Sequence, residues 1–215
     1  MNIISQDIIA QNEILSLTNQ RAIFWAKENA LILSDLHIGK TAHFRRHGIP
    51  LPNEILKKDL KRLKLLILHF KAEKLFVVGD LFHAESNIDV KTFKTWLKEF
   101  KTLEIVLVKG NHDRLTKQMV ETFPFRIEKE LEVQPFLFVH EPKMHHLKMF
   151  TISGHTHPGV WIKGKGKQRI KLPCYQVNAN QIVLPAFSLF TGLNTKSKPK
   201  DAACYGFTDT AIFKL

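Results

Sequence analysis

The feature that most constrains this chain is a series of five apolar segments, each ending in residues that commonly bind metal ions. The five endings are Asp35-Leu36-His37, Gly79-Asp80, Gly110-Asn111-His112-Asp113, His140 and Gly154-His155-Thr156-His157. Buried strands read as apolar runs, and parallel strands build their sites at their carboxyl ends. Any one ending is also typical of a hydrogen-bonded loop residue, but five in order predict one shared site.

The ligand types in these endings favour a catalytic metal centre. They are two carboxylates (Asp35 and Asp80), one amide (Asn111) and four imidazoles (His37, His140, His155 and His157). Nitrogen and oxygen ligands without thiolates suit Mn, Fe or Zn in a catalytic site better than a structural zinc. A central carboxylate can bridge two ions about 3.5–4 Å apart, and Asp80 is the candidate bridge.

Hydrophobic periodicity predicts an α/β first half and a β-rich second half. Strands are predicted at 22–27, 30–35, 74–80 and 105–110, helices at 52–71 and 89–100, and further strands from 136 onward. Of the 215 residues, 44% are hydrophobic, which is enough for a sizeable core. We expect one domain over residues 1–215, with two packed sheets and helices outside them.

The charge and composition of the chain indicate which ligands it attracts and in which compartment it works. The chain has 32 Lys and Arg against 20 Asp and Glu, a formal net charge of +12, which attracts polyanions such as nucleic acid. A lysine-rich solvated surface has the same composition. No apolar run reaches about eighteen residues and the N-terminus is too polar for a signal peptide, so we expect a cytoplasmic protein without membrane contact. Cys174 and Cys204 are expected to be reduced thiols.

The five endings resemble the motifs of the calcineurin-like metallophosphoesterase family: D-x-H, G-D, G-N-H-D/E, a single His and G-H-x-H, here within residues 35–157. The resemblance implies an α/β fold, a four-layer sandwich of two mixed β-sheets flanked by helices. It implies that one metal is held by Asp35, His37, Asp80 and His157, and the other by Asp80, Asn111, His140 and His155. We expect two divalent ions, Mn²⁺ first, with Fe or Zn as alternatives.

The resemblance also implies hydrolysis by a hydroxide that bridges the two ions, without a covalent phosphoenzyme. His112 is expected to protonate the departing alkoxide or to stabilise the phosphoryl oxygens. Asp113 is expected to orient that imidazole.

Three further segments resemble a bacterial branch of the family, the ligase-associated DNA damage response endonucleases. They are SDLHIGKTAHFRRHGIPLP (34–52), GDLFHAE (79–85) and LPAFSLFTGLN (184–194). The resemblance implies DNA processing in repair, in company with a DNA ligase and a helicase. The alternatives are the same chemistry on a small nucleotide-type phosphodiester or pyrophosphate, and a non-catalytic scaffold. A scaffold is disfavoured, because buried carboxylates and imidazoles need a metal to be tolerated.

Basic residues near the motifs are candidate substrate contacts. Arg45, Arg46 and Arg114 are predicted to bind substrate phosphates, or else to cover a helix or pair with acids. Three interpretations of His83 are open: it hydrogen-bonds to a metal ligand, it is an additional metal ligand, or it is a loop residue without a role in the site. The hairpin at 163–171 carries five cations and either follows a nucleic-acid backbone or is a solvated turn. His145 and His146 are expected to have no role in the metal site.

Overall fold

The computed structural model describes residues 2–52, 54–123, 125–142, 149–164 and 166–215. Lys165 of the basic hairpin, His145 and His146 lie outside the described residues, so the expectations for them stay predictions. No helix in these ranges combines the length and the apolar character needed to cross a membrane.

The first sheet has seven strands that are neighbours in chain order. They are β1 (Ser5–Ala10), β2 (Glu13–Thr18), β3 (Ile23–Trp25), β4 (Ala30–Leu33), β5 (Lys74–Val78), β6 (Glu104–Val108) and β7 (Arg126–Glu128). Strands β1 to β4 pair antiparallel, and β4 to β7 pair in parallel. Strands β4, β5 and β6 are buried almost throughout, as expected where both faces of a parallel sheet are covered. Their carboxyl ends lie at one edge of the sheet.

The second sheet has eight strands. They are β8 (Leu131–Val133), β9 (Phe136–Phe138), β10 (Phe150–Ser153), β11 (Gly159–Lys163), β12 (Arg169–Val177), β13 (Gln181–Val183), β14 (Ala203–Phe207) and β15 (Ile212–Lys214). Their order is β15-β14-β12-β13-β10-β9-β8, with β11 paired to β12. Strand β10 is parallel to β9 and β13, and the other pairs are antiparallel. Both sheets are therefore mixed.

The described residues form four helices, all of which precede β7. They are α1 (Lys40–Arg46), α2 (Glu54–Phe70), α3 (Ile88–Leu97) and α4 (Lys117–Thr122). One hydrophobic core joins α2, α3 and α4 to the outer face of the seven-stranded sheet, with Leu63 of α2 and Leu75 of β5 among its members. A second core lies between the sheets, where the rings of Trp25 and Phe136 meet at 4.9 Å.

The predicted α/β sandwich of two mixed sheets with flanking helices is confirmed. In the described ranges the helices cover the seven-stranded sheet, and the segment after β13 contacts the eight-stranded sheet. There the side chain of Gln176 donates to Ser197 O at 2.9 Å and that of Asn178 to Lys200 O at 3.0 Å. The predicted helices at 52–71 and 89–100 correspond to α2 and α3. The sequence did not predict β1, β2, α1, α4, β7 or β8.

Candidate metal centre and active site

The first group of potential metal ligands lies at the carboxyl end of β4. Asp35 and His37 follow that strand and are buried, and His157 follows β10. Nε2 of His157 is 3.1 Å from Asp35 Oδ1 and 3.4 Å from His37 Nε2. The structure thus brings together three of the four ligands predicted for the first metal.

The second group consists of Asp80, His140 and His155. Nε2 of His140 is 3.4 Å from Asp80 Oδ1 and 3.2 Å from His155 Nδ1. Oδ1 of Asn111 is 3.0 Å from His140 Nε2 and 3.1 Å from His155 Nδ1, so the predicted amide ligand joins this group. Asp80 lies with the second group, and its bridging to the first stays a prediction.

Each group combines ligands from both sheets. The two aspartates, His37 and the amide follow strands of the seven-stranded sheet, and the other three histidines follow strands of the eight-stranded sheet. The segment after β13 ties the sheets together here, because Phe187 N donates to Ser34 O at 2.8 Å and Ser188 N to Asp35 O at 3.1 Å. The site therefore lies where the carboxyl ends of strands from two sheets meet.

The backbone is left-handed at five of the seven predicted ligands. They are Asp35 (φ 56°), His37 (φ 51°), Asp80 (φ 52°), His155 (φ 66°) and His157 (φ 50°). This conformation is uncommon for residues with a side chain, and it persists at functional sites where the surroundings enforce it. Here Asp35 N donates to Gly79 O at 3.0 Å and His37 N to Asp80 O at 2.9 Å. The surrounding fold therefore holds the ligand loops in place.

Glycines allow the ligand loops to approach one another closely. A Cβ atom on Gly79 would overlap the imidazole of His140, and one on Gly110 would overlap the carboxylate of Asp80. Gly79 also has a positive φ of 85°, which glycine adopts without steric cost. Any side chain at either position would displace a predicted ligand.

Burial and mutual contacts shift the pKa values of the ligands. Burial opposes ionisation of Asp80, but the hydrogen bond and charge of His140 outweigh it and lower the pKa of Asp80 to about 2. The same contact outweighs burial at His140 and raises its pKa to about 9. Burial lowers the pKa of His37 to about 3, despite the nearby Asp35 carboxylate. Without a metal, His140 therefore carries a proton that a cation would replace.

His112 lies beside a ligand of each group. Its side chain is exposed, and its ring centroid is 5.6 Å from that of His37. Its backbone N–H donates to Asp80 Oδ1 at 2.9 Å. An exposed imidazole in this position is available to a substrate bound at the metals.

Asp113 is buried, and its carboxylate faces the backbone. Oδ1 accepts from the N–H of Phe82 at 2.7 Å and Oδ2 from the N–H of Gly110 at 2.9 Å. Burial raises the pKa of Asp113 to about 6. Its predicted contact with the His112 ring is not among the hydrogen bonds of the described residues. The contacts of Asp113 therefore fasten the backbone of the loop that carries His112.

The three predicted phosphate-binding arginines have different surroundings. Nη2 of Arg45 pairs with Oδ1 of Asp89 at 3.2 Å. The same carboxylate accepts from Thr41 Oγ1 at 2.7 Å and from Ala42 N at 2.9 Å. Arg45 therefore fastens α1 to α3, which corresponds to the alternative of pairing with an acid.

Arg46 and Arg114 line one cavity of about 350 Å³, together with His43, His83 and Glu85. The ring of His83 is 5.4 Å from that of His112, so the cavity adjoins the predicted catalytic histidine. Burial, reinforced by the charge of Lys40, lowers the pKa of His83 to about 4. His83 is therefore a neutral member of the active-site surroundings, and it belongs to neither ligand group.

Two contributions to the site were not predicted. Ser34 Oγ donates to Asp35 Oδ2 at 2.7 Å, and its position directly before the first aspartate was the signal for it. The ring of Phe190 lies 5.8 Å from that of Phe44, with Lys40 Nζ 6.0 Å from the Phe190 ring. This second contact joins distant segments, and no local pattern encodes it.

The atoms that meet in the two groups fit divalent metal ions. Nε2 of His37 faces Nε2 of His157, and the Asn111 oxygen faces two imidazole nitrogens. When these imidazoles are deprotonated at the converging nitrogens, they offer lone pairs that a cation can bind, and nitrogen and oxygen ligands without cysteine suit Mn, Fe or Zn. Two such groups beside an exposed histidine define the site of a metal-dependent hydrolase.

The chain belongs to the calcineurin-like phosphoesterase family, whose model matches residues 29–169. It is therefore a metal-dependent phosphoesterase. Among solved structures, the chain is similar to the nuclease MPE of Pseudomonas putida, with 28% identity, a TM-score of 0.84 and coverage of 99% of this chain and 100% of that chain. It is also similar to Yfce, a phosphoesterase from E. coli, with 15% identity, a TM-score of 0.44 and coverage of 84% and 88%. The search of curated proteins found no match.

Proposed function

We propose that this protein is a two-metal-dependent phosphodiesterase that cleaves DNA as an endonuclease in DNA repair. The observation that carries the proposal is the cavity lined by Arg46 and Arg114 beside His112. A phosphodiester at the metals would place neighbouring phosphates of its strand within reach of these cations. The net charge of +12 and the similarity to a nuclease support a polyanionic substrate.

In this proposal the seven predicted ligands would hold two Mn²⁺ ions, with Asp80 as the predicted shared ligand. When bound, the ions supply an activated water, polarise the phosphoryl group and neutralise its developing charge. His112 donates a proton to the departing oxygen, and Asp113 positions the loop that carries it. Arg46 and Arg114 orient the strand through its phosphates.

The resemblance of residues 34–52 to the ligase-associated branch supports a role in repair. A DNA ligase and a helicase are the proposed functional partners, and the cytoplasm is the proposed compartment. Co-purification with each enzyme in the presence of nicked DNA tests the partnership.

The volume of the cavity lined by Arg46 and Arg114 also fits a smaller substrate than DNA. About 350 Å³ lies within the range of small-ligand pockets, about 300–1,000 Å³. A nucleotide-type phosphodiester or pyrophosphate is therefore the second candidate substrate. A scaffold without activity is disfavoured, because the ligand set and His112 are all present.

The test uses metal-stripped protein resupplied with Mn²⁺, a bis-aryl phosphodiester and circular single-stranded DNA. Because a circle has no ends, only an endonuclease cuts it. We expect metal-dependent cleavage of both substrates, with losses of about 100-fold or more in His112→Ala and none in His69→Ala, a control at an exposed histidine on α2. Cleavage of the ester alone would favour the nucleotide-type substrate. Cleavage of neither would favour the scaffold.

A further inference from the structure

The positive charge of this protein is concentrated in one part of the chain. Residues 142–200 contain ten Lys and Arg and no Asp or Glu, so this stretch carries +10 of the formal net charge of +12. It includes the hairpin of β11 and β12 and the loop after β13. A field of a single sign attracts ligands of the opposite charge, whereas a surface that serves solubility mixes both signs.

One face of the β11–β12 hairpin presents an aromatic ring and three cations. Trp161 is directly opposite Lys171, and Lys163 is directly opposite Arg169. Residues two apart on a strand share a face, so these four side chains form one surface, here called the Trp161 face. All four residues are exposed. Like charges directly opposite each other destabilise a sheet. An anion bound over Lys163 and Arg169 would reduce the repulsion between these two side chains.

Trp161 is held in position although 51% of it is exposed. Its indole N–H donates to Thr195 Oγ1 at 3.0 Å, and Lys171 Nζ lies 5.1 Å from the ring. Lys171 in turn donates to Leu193 O at 3.2 Å. Tryptophans that expose this much surface are typical of binding surfaces, because one ring offers both apolar area and a polar edge.

The Trp161 face begins close to the metal centre. Strand β11 starts two residues after His157, and Asn194 N donates to His157 O at 2.9 Å. The four steps along the backbone from His157 to Trp161 span at most about 14 Å. Lys196 and Lys198 are exposed in the same loop as Thr195. An anionic strand on this face can therefore continue into the active site.

We propose that the Trp161 face binds an unpaired segment of the nucleic-acid substrate a few nucleotides from the cleaved bond. The indole stacks on a base, and Lys163, Arg169 and Lys171 contact phosphates. An aromatic ring beside a cationic track is how proteins bind single strands without sequence preference, and bases within a duplex are not free to stack on it. The inference rests on the proposed function and adds the strand state and the contact surface.

Tryptophan fluorescence tests the contact directly. The chain has three tryptophans, and Trp25 and Trp96 are only 0% and 9% exposed, so quenching by an added oligonucleotide reports on Trp161. We expect a thymidine oligonucleotide of about twelve nucleotides to quench the emission of the metal-stripped full chain. A duplex of equal length should quench it much less.

Variants separate stacking from charge. Fluorescence anisotropy of the labelled oligonucleotide should show about 5- to 150-fold weaker binding by Trp161→Ala, and a smaller loss by Trp161→Phe, which keeps a ring. The double variant Lys163→Gln/Arg169→Gln should lower the slope of log affinity against log salt by about 1.4. The matched control, Lys98→Gln/Lys101→Gln, removes the same charge from exposed residues between α3 and β6 and should preserve the slope. Thermal melts verify that each variant folds.

The inference is overturned if Trp161→Ala binds as tightly as the control double variant. It is also overturned if anionic phospholipid vesicles, but not the oligonucleotide, quench Trp161. The same experiments distinguish failure of this inference from failure of the proposed function. If the protein binds the oligonucleotide through Trp161 but cuts no DNA, the binding surface is supported and the endonuclease activity is contradicted. If the protein cuts DNA but the variants bind as tightly as the unaltered protein, the endonuclease activity is supported and the binding surface is contradicted.

Discussion

Gly79 and Gly48 have nearly the same positive φ, 85° and 83°, but different surroundings. A Cβ atom on Gly79 would overlap the ring of His140, and one on Gly48 would meet nothing within 4 Å. We expect Gly48→Ala to lower the free energy of unfolding by about 1 kcal/mol and Gly79→Ala by about 2–4 kcal/mol, because overpacking adds to backbone strain. Urea unfolding measures both. Equal losses would show that backbone conformation alone sets the cost.

Asn111→Ala removes an oxygen that lies 3.0 and 3.1 Å from two histidines of the second group. We expect metal binding at that group to weaken by about tenfold or more, and turnover of the bis-aryl phosphodiester to fall with it. Metal titration calorimetry and steady-state kinetics measure the two effects. Asn180→Ala, at an exposed residue before β13, is the control. Unchanged turnover in Asn111→Ala would contradict the ligand assignment.

Helix α1 carries two adjacent arginines with different partners. Arg45 is paired with Asp89, whereas Arg46 lines the cavity near His112. We expect Arg45→Ala to lower the free energy of unfolding by about 1–3 kcal/mol, because the buried carboxylate of Asp89 loses a partner. Arg46→Ala should change it by less than about 0.5 kcal/mol and lower the salt slope of DNA binding by about 0.7. Thermal melts and anisotropy titrations measure the two properties, and the reverse pattern would contradict these roles.

The elements with long, regular apolar patterns were the ones that the sequence predicted. The helix predicted at 52–71 is observed as Glu54–Phe70, and β4, β5 and β6 lie within predicted strands or begin one residue earlier. Strand β1 was missed because much of it is exposed, which leaves a weak pattern. Helix α1 has only seven residues and buries just Thr41 and Ala42. The contact between Thr41 of α1 and Asp89 of α3 joins residues more than forty positions apart, so no local pattern indicates it.

At the site, the sequence predicted which side chains converge, because each one lies two to four residues after the end of an apolar strand. Its prediction for Asp113 differs from the observed contacts, because the carboxylate is engaged by the backbone of Gly110 and Phe82. The left-handed conformations of five ligands were also not predictable. Both features depend on hydrogen bonds between separate loops, which spacing along the chain does not encode.

Metal loading should stabilise the whole molecule in a pH-dependent way. In metal-stripped protein, the raised pKa of His140, about 9, contributes stability that is complete below about pH 6.5 and is lost as the pH rises through 9. Mn²⁺ must displace that proton, so its affinity should fall about tenfold for each pH unit below 9. We expect Mn²⁺ to raise the melting temperature more at about pH 8 than at about pH 6. Equal increases at both would contradict the titration of His140.

Because each metal group takes side chains from both sheets, the order of synthesis bears on when the centre can form. The seven-stranded sheet is complete at Glu128 and supplies four of the seven ligands, and the last, His157, lies 29 residues further on. During synthesis, every residue of the first sheet therefore leaves the ribosome before either group has all of its predicted ligands. We therefore expect metal acquisition to be a late event in the biogenesis of this enzyme, because a product truncated before β10 would lack both His155 and His157.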